Sequence, residues 1–253
     1  MKNKFLGLCA GLLAAFGTSQ AATVVDVELQ LLIDVSGSVD QTEFALQRDG
    51  YVAAFQDAAV QAAILDTSNG KVGSIAVQVV FWDSSNNQNI VIDWVHLDSN
   101  TAIDDFATDF AALTDSTSGS TGIAAAISFG IPEFASNDFM GTRLVQDVSG
   151  DGEENNGGNV MAARDAAAAA GITVNGIAIG SEVLFNYYRD NVVTADGFVL
   201  RSEGFDTFDT GIRRKLLAEI TDTNPVPVPA PILLMGTAIA GFMGAKRRKA
   251  AKA

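Results

Sequence analysis

The chain has 253 residues, 48% of them apolar, enough to fill one substantial core and to make one large domain or two small ones. Thirty acidic residues stand against sixteen basic ones, a formal charge of −14, so the surface repels phosphate backbones: no nucleic acid is expected as a partner, and cationic partners, metal ions included, are favoured. The single cysteine, Cys9, leaves no internal disulfide and no thiolate metal cluster to be made.

In chain order, Lys2 and Lys4 precede an apolar run from Phe5 to Phe16 and the small-residue sequence Ser19-Gln20-Ala21, the pattern of a secretory signal over residues 1–22 cut after Ala21 or Ala22. Cys9 lies inside that run behind Leu8, where acylation wants a small residue, so the mature chain is expected to lack cysteine. From Thr23, VVDVELQLLI alternates and then turns wholly apolar, as a strand buried on both faces does. DVSGS follows, and then Asp40 with Glu43 three residues on marks the start of a helix whose apolar positions are Phe44, Leu46, Tyr51, Val52 and Phe55. Residues 74–82 and 89–95 read as strands, 98–113 and 121–129 as helices, and 142–148 as a strand ending in the polar loop SGDGEENNGG. NVMAARDAAAAA reads as a helix, its alanines packed on a sheet, and ITVNGIAI as a strand. A helix over 182–190, a short strand over 198–200 and a helix over 207–220 complete the series, with Arg213, Arg214 and Lys215 expected on a solvated helix face. Strands alternating with helices predict one α/β domain over 23–222, a doubly wound, mostly parallel sheet with helices on both faces.

Residues 223–253 read as a separate tail. PVPVPAP leads into fourteen apolar residues, Ile232 to Ala245, and then Lys246, Arg247, Arg248 and Lys249. As a helix those fourteen residues span about 21 Å, short of the roughly 30 Å of a bilayer core. Both terminal segments lack acids and hold seven bases; without them nine bases face thirty acids, a formal charge of −21.

In a doubly wound sheet, ligands bind beyond the carboxyl ends of the strands. Asp34, Ser36 and Ser38 fall at such an end, and so does Asp151. Thr121 begins a helix able to reach the same edge, with Ser116, Thr117, Ser118 and Ser120 close by as alternatives. Three hydroxyls and two carboxylates form an all-oxygen donor set that suits a small hard cation, Mg²⁺ before Ca²⁺ or Mn²⁺. DVSGS, the threonine of GSTGIAAAI and the DG of SGDGEE resemble the metal-ion-dependent adhesion site of von Willebrand factor A domains, a resemblance that covers nearly the whole interior of the chain. YYRDNV, GFDTF and IRRKLLAEI also look like an uncharacterised family of secreted bacterial A-type domains. The resemblance implies that Ser36, Ser38 and Thr121 are direct ligands, that Asp34 and Asp151 hold the metal largely through water, and that a partner's acidic residue takes the remaining position. Glu153 and Glu154, next to Asp151, are expected to repel that acid and to favour Ca²⁺ or a more basic partner surface. Val226-Pro227-Val228-Pro229-Ala230 with the apolar helix and basic end resembles the PEP-CTERM-type sorting signals of Gram-negative bacteria, with Val228 where glutamate is common. This implies processing by an exosortase-type protease, with membrane contact through the C-terminal helix before it.

The expected function is therefore that of a binding or adhesion domain exported across the inner membrane to the periplasm, outer surface or extracellular matrix, engaging a protein or matrix component through a divalent cation. The alternative is a structural envelope or exopolysaccharide-matrix protein whose cation only stabilises the fold. No enzyme is expected: the only histidine, His96, ends a strand, GxSxG is missing, and phosphoryl transfer would want a second acid near Asp34 where Ser36 stands. DVSGDGEENNG matches half of a calcium-binding EF-hand loop through Asp147, Ser149, Asp151 and Gly152 but has Gly158 where the bidentate glutamate belongs.

Overall fold

The computed structural model describes residues 21–114, 118–223 and 225. The expected signal sequence, save its last two residues, and the expected sorting tail, save residues 223 and 225, lie outside the described residues.

Runs rich in valine, isoleucine and leucine form six strands: β1 (Thr23–Asp34), β2 (Ile75–Trp82), β3 (Gln88–Leu97), β4 (Phe139–Gly150), β5 (Ile172–Ile179) and β6 (Val199–Ser202). They build one sheet in the order β3-β2-β1-β4-β5-β6. Only β3 is antiparallel to its neighbour, because the short turn after Trp82 leaves no room for a crossover. The other pairs are parallel and linked through helices, as the sequence predicts. Helices α1 (Gln41–Phe55), α2 (Ala58–Ile64), α3 (Asn100–Ala111) and α7 (Phe208–Thr221) cover one face, around Leu29, Leu31, Phe55, Phe106 and Leu216. Helices α4 (Ile123–Gly130), α5 (Val160–Ala169) and α6 (Glu182–Tyr187) cover the other, around Leu32, Trp82, Ile127 and Val174.

The chain leaves β1 toward β2 on one side and returns to β4 on the other, so Asp34 and Gly150 end neighbouring strands at the point where the winding reverses. The capping box foreseen at α1 is present: Asp40 accepts from the amides of Thr42 and Glu43, and Glu43 accepts from the amide of Asp40.

Several expectations are corrected. Helix α2 was not foreseen; it is seven residues long, started by Asp57 accepting from the amides of Ala59 and Val60, and buries only Val60 and Ile64. Leu46 faces solvent at 41% exposure, leaving its place on the apolar stripe of α1 to Gln47. Within the alanine run only Ala167 is buried; the others serve helix propensity rather than packing. Lys215, expected in solvent, is fully buried, because spacing from Ile212 and Leu216 puts it on the inner stripe of α7.

Three glutamines cross the sheet in register, Gln78 on β2, Gln30 on β1 and Gln146 on β4. Gln30 Nε2 donates to Gln78 Oε1 (2.7 Å), and Gln146 Nε2 donates to Gln30 Oε1 (2.9 Å). Their amides also reach the carbonyls of Ile127 (3.1 Å) and Gly130 (3.4 Å) at the end of α4. Gly130 admits no side chain: a Cβ there would overlap Gln30 Oε1 and lie 2.5 Å from Gln146 Nε2. Gly130→Ala is therefore expected to lower stability by about 1–3 kcal/mol, seen as a lower urea midpoint at unchanged m-value. An unchanged midpoint would show that the ladder does not hold α4 in place.

Candidate functional site

Beyond Asp34 the chain stays tethered to the sheet through the Val35 amide, which donates to Trp82 O (3.0 Å), and then turns, with the Val39 amide donating to Ser36 O (3.0 Å). Asp34 Oδ1 accepts from the Ser36 amide (2.8 Å), the local turn typical of aspartate. Since Asp40 caps α1, neither serine of the loop is consumed as a helix cap. Asp34, Ser36 and Thr121 are buried, Asp151 is half-buried and Ser38 is exposed.

The structure brings all five predicted residues together. Ser36 Oγ lies 3.2 Å from Ser38 Oγ and 3.5 Å from Thr121 Oγ1, and Ser38 Oγ donates to Asp151 Oδ1 (2.6 Å). Neighbouring oxygens around an octahedral cation at about 2.1 Å lie about 3 Å apart, so the three hydroxyls, at 3.2 and 3.5 Å, need only a small contraction to close on one ion. Among the described residues no group of three or more His, Cys, Asp or Glu side chains is placed to hold a metal, and hydroxyls make up most of this donor set. Of the other hydroxyls near Thr121, Ser116 and Thr117 lie outside the described residues, and it is Thr121 that faces Ser36.

Asp34 Oδ2 is buried without a hydrogen-bond partner among the described residues. Burial pushes its carboxyl up to about 7, outweighing the bonds from Ser36, with Asp151 adding a like charge. Gly150 makes room for it: a Cβ there would stand 2.7 Å from Asp34 Oδ2 and 2.5 Å from the Tyr188 hydroxyl, itself buried and unpartnered. An orphaned oxygen beside a cluster of hydroxyls fits a cation.

Thr121 is held by Asn155. The Thr121 amide donates to Asn155 Oδ1 (2.8 Å), Asn155 Nδ2 donates to Thr121 Oγ1 (3.4 Å), and the Asn155 amide donates to Thr121 O (2.9 Å). Glu154 is committed elsewhere, its carboxylate accepting from the amides of Ala124 (2.9 Å), Asn156 (2.9 Å) and Gly158 (3.2 Å). Of the two glutamates expected to repel an acid, only Glu153 stays exposed. Gln47 Nε2 supports the loop from beneath by donating to Asp34 O (3.1 Å). Asn155, Gln47 and Tyr188 were not foreseen; Gln47 alone had a signal, a polar residue spaced with Phe44 and Tyr51 on an apolar stripe.

The half-matching calcium loop does not form. Asp147 and Ser149 lie inside β4, fully buried, and Ser149 Oγ donates to Gln47 Oε1 (3.1 Å). His96, on β3, pairs with Ala76 near the start of β2, 3.6 Å from Asp98 and against the Phe139 ring, far from Asp34, which pairs with Trp82 at the other end of β2.

Solved structures with this fold are von Willebrand factor A-type domains. Proximal thread matrix protein 1 from the mussel byssus superposes with a TM-score of 0.60 at 13% identity, over 79% of this chain and 48% of that one. A further structure of that protein, described as having a zinc-occupied MIDAS motif, gives 0.54 at 17% identity, over 80% and 49%. The von Willebrand factor type A protein of Catenulispora acidiphila gives 0.51 at 14% identity, over 79% and 43%. This chain thus spans about half the length of the mussel protein. At such identities the likeness establishes the fold, an α/β domain of the von Willebrand A type. By sequence the chain belongs to the family described as protein of unknown function DUF1194, whose model matches residues 24–224. No curated protein matches it.

The raised Asp34 carboxyl sets a pH dependence. Between about pH 4 and 7 the unfolded chain has an ionised Asp34 while the metal-free fold keeps it protonated, so this group's contribution is complete at low pH and is lost as pH rises. Denaturation of metal-free protein across that range should show Asp34→Asn removing part of the downward slope; an unchanged slope would contradict the orphaned carboxyl.

Proposed function

We propose that the protein is an exported, non-enzymatic binding domain that grips its partner through a divalent cation at the carboxyl edge of the sheet. The observation that supports this reading most is the meeting of the Ser36, Ser38 and Thr121 hydroxyls beside the unpartnered Asp34 oxygen. Ser36, Ser38 and Thr121 would hold the ion directly, with Asp34 and Asp151 supporting it. A cation held by these residues would supply a concentrated positive charge able to attract a partner's carboxylate. Neutral hydroxyl donors leave that charge largely uncompensated, so it attracts an acid that the protein's own surface would otherwise repel.

The oxygen set and its close spacing favour Mg²⁺, with Ca²⁺ and Mn²⁺ as alternatives. The partner is a protein offering an acidic side chain or a component of an extracellular matrix. Glu153, exposed beside Asp151, selects acids flanked by basic residues. The expected export signal and sorting tail support a location in the periplasm, at the outer surface or in the matrix, after processing by an exosortase-type protease. Among the described residues no helix is long and apolar enough to cross a membrane. The apolar sequence of residues 232–245 is the segment proposed to contact the membrane before processing.

A second reading has support of its own. The mussel protein is by its printed name a matrix protein, and an orphaned buried carboxylate gives a cation a purely stabilising task. In that case the domain is a structural component of the envelope or exopolysaccharide matrix.

Calorimetric titration of the metal-free protein with Mg²⁺, Ca²⁺ and Mn²⁺ should give one saturable site, lost in Asp34→Ala and weakened about 10–100-fold in Asp151→Ala. No saturable site for any of the three ions would contradict the cation reading. Retention on the surface of producing cells separates the two roles: gripping predicts release by EDTA and by Asp34→Ala, whereas the structural role predicts a lower melting temperature with retention intact.

A further inference from the structure

The face of the sheet covered by α1 and α7 hides a cluster that takes no part in the cation site. Lys215 Nζ, on α7, lies 2.6 Å from Asp147 Oδ1 on β4 and 2.5 Å from Glu219 Oε1 one turn further along its own helix. Lys215 and Asp147 are wholly buried and Glu219 is 2% exposed. Asn175 Nδ2 donates to Glu219 Oε1 (3.0 Å), the Phe198 ring centre lies 5.8 Å from the lysine nitrogen, and the Tyr51 hydroxyl is buried without a partner.

Two features set this cluster apart from an ordinary buried ion pair. It places two acids around one base in a medium that penalises every charge, and burial pushes both the Asp147 and Glu219 carboxyls up, Glu219 to about 7. The lysine nitrogen is also shared: it donates to Glu219 Oε1 (2.5 Å) while standing 2.6 Å from Asp147 Oδ1. The lysine nitrogen thus stands against one carboxyl group while a second touches it, with all three side chains buried.

We propose that Lys215 and Asp147 condense into an intramolecular isopeptide bond, with Glu219 as the catalytic group that carries the protons. Glu219 takes a proton from the Lys215 ammonium and passes it to an Asp147 oxygen, and the freed Nζ attacks Cγ of the resulting carboxylic acid. The Nζ–Cγ bond forms, the second departing proton travels through Glu219 to the same Asp147 oxygen, and the Cγ–O bond breaks. The ammonium and carboxylate become a neutral amide, and one water leaves carrying the oxygen and the two protons lost from nitrogen. No oxidant or other reactant is required, and Glu219 ends in the state in which it began. A cavity of about 430 Å³ lined by Glu219, Asn175, Phe198 and Arg143 adjoins the cluster and gives the water a way out.

The gain is electrostatic as well as covalent. Condensation removes two buried charges whose desolvation the ion pair must otherwise offset, and it ties the last helix to a central strand. Among the described residues there is no cysteine, so this bond would do for an exported domain what a disulfide does elsewhere.

The test is mass spectrometry of the folded full chain, with the expected mass calculated from its observed termini. The proposal requires a deficit of one water and, after proteolysis, a branched peptide joining the β4 segment through Asp147 to the α7 segment through Lys215. Glu219→Gln should restore the uncondensed mass. Asp147→Asn should reach the same final mass as the wild type, because ammonia leaves in place of water. Folded wild-type protein with the full sequence mass and two separate peptides overturns the proposal, even if the variants do not fold. A branched peptide persisting in Glu219→Gln overturns the role of Glu219.

Discussion

Asp34 carries one carboxylate oxygen that is buried and has no hydrogen-bond partner among the described residues, at the place where β1 gives way to its loop. Taking an ionised carboxylate out of water is expensive, so the group either keeps its proton or meets a positive charge. The surroundings of Asp34 are arranged for the second outcome. Glycine at position 150 leaves the space beside it open, the Ser36 amide fixes its other oxygen, and the Gln47 amide holds its carbonyl. A helix cap would have needed none of this, and α1 draws its cap from Asp40.

The topology explains why the donors meet here. Winding reverses between β1 and β4, and the loops after both strands, together with the approach to α4, open on one edge. Thr121 comes from that approach, two residues before the helix, and is gripped by Asn155 from the loop after β4. At its far end α4 is seated by the glutamine ladder, which ties that helix to three central strands. Helix position and cation loop are thus parts of one polar framework running through the sheet. On the opposite face, Ser149 and Gln47 carry hydrogen bonds from β4 back to Asp34.

Much of this was readable from the chain because it rests on local patterns. The alternation of Asp34, Ser36 and Ser38 after an apolar run marks a strand end offering oxygens, and Asp40 with Glu43 marks the following helix. The parallel sheet follows from strands and helices taking turns. What escaped depends on contacts between distant segments. Asn155 sits in a polar loop where any residue would have looked ordinary, and its role exists only because Thr121 lies against it. Tyr188 and Gly150 matter only through their shared closeness to Asp34. Lys215 was misread for a different reason: the neighbouring Arg213 and Arg214 made a basic run that suggested solvent, although helical spacing from Ile212 places it inward with Glu219. Helix α2 is too short and too rich in alanine to leave a clear period.

Cation-dependent binding requires a single ion at the meeting point of these loops. Anomalous diffraction from crystals grown with Mn²⁺, collected at the manganese absorption edge, tests that directly. The account predicts one strong peak bonded to Ser36 Oγ and Ser38 Oγ, with Thr121 Oγ1 in the same coordination sphere. An ordered loop with no peak there, or manganese bound only elsewhere on the acidic surface, would contradict it.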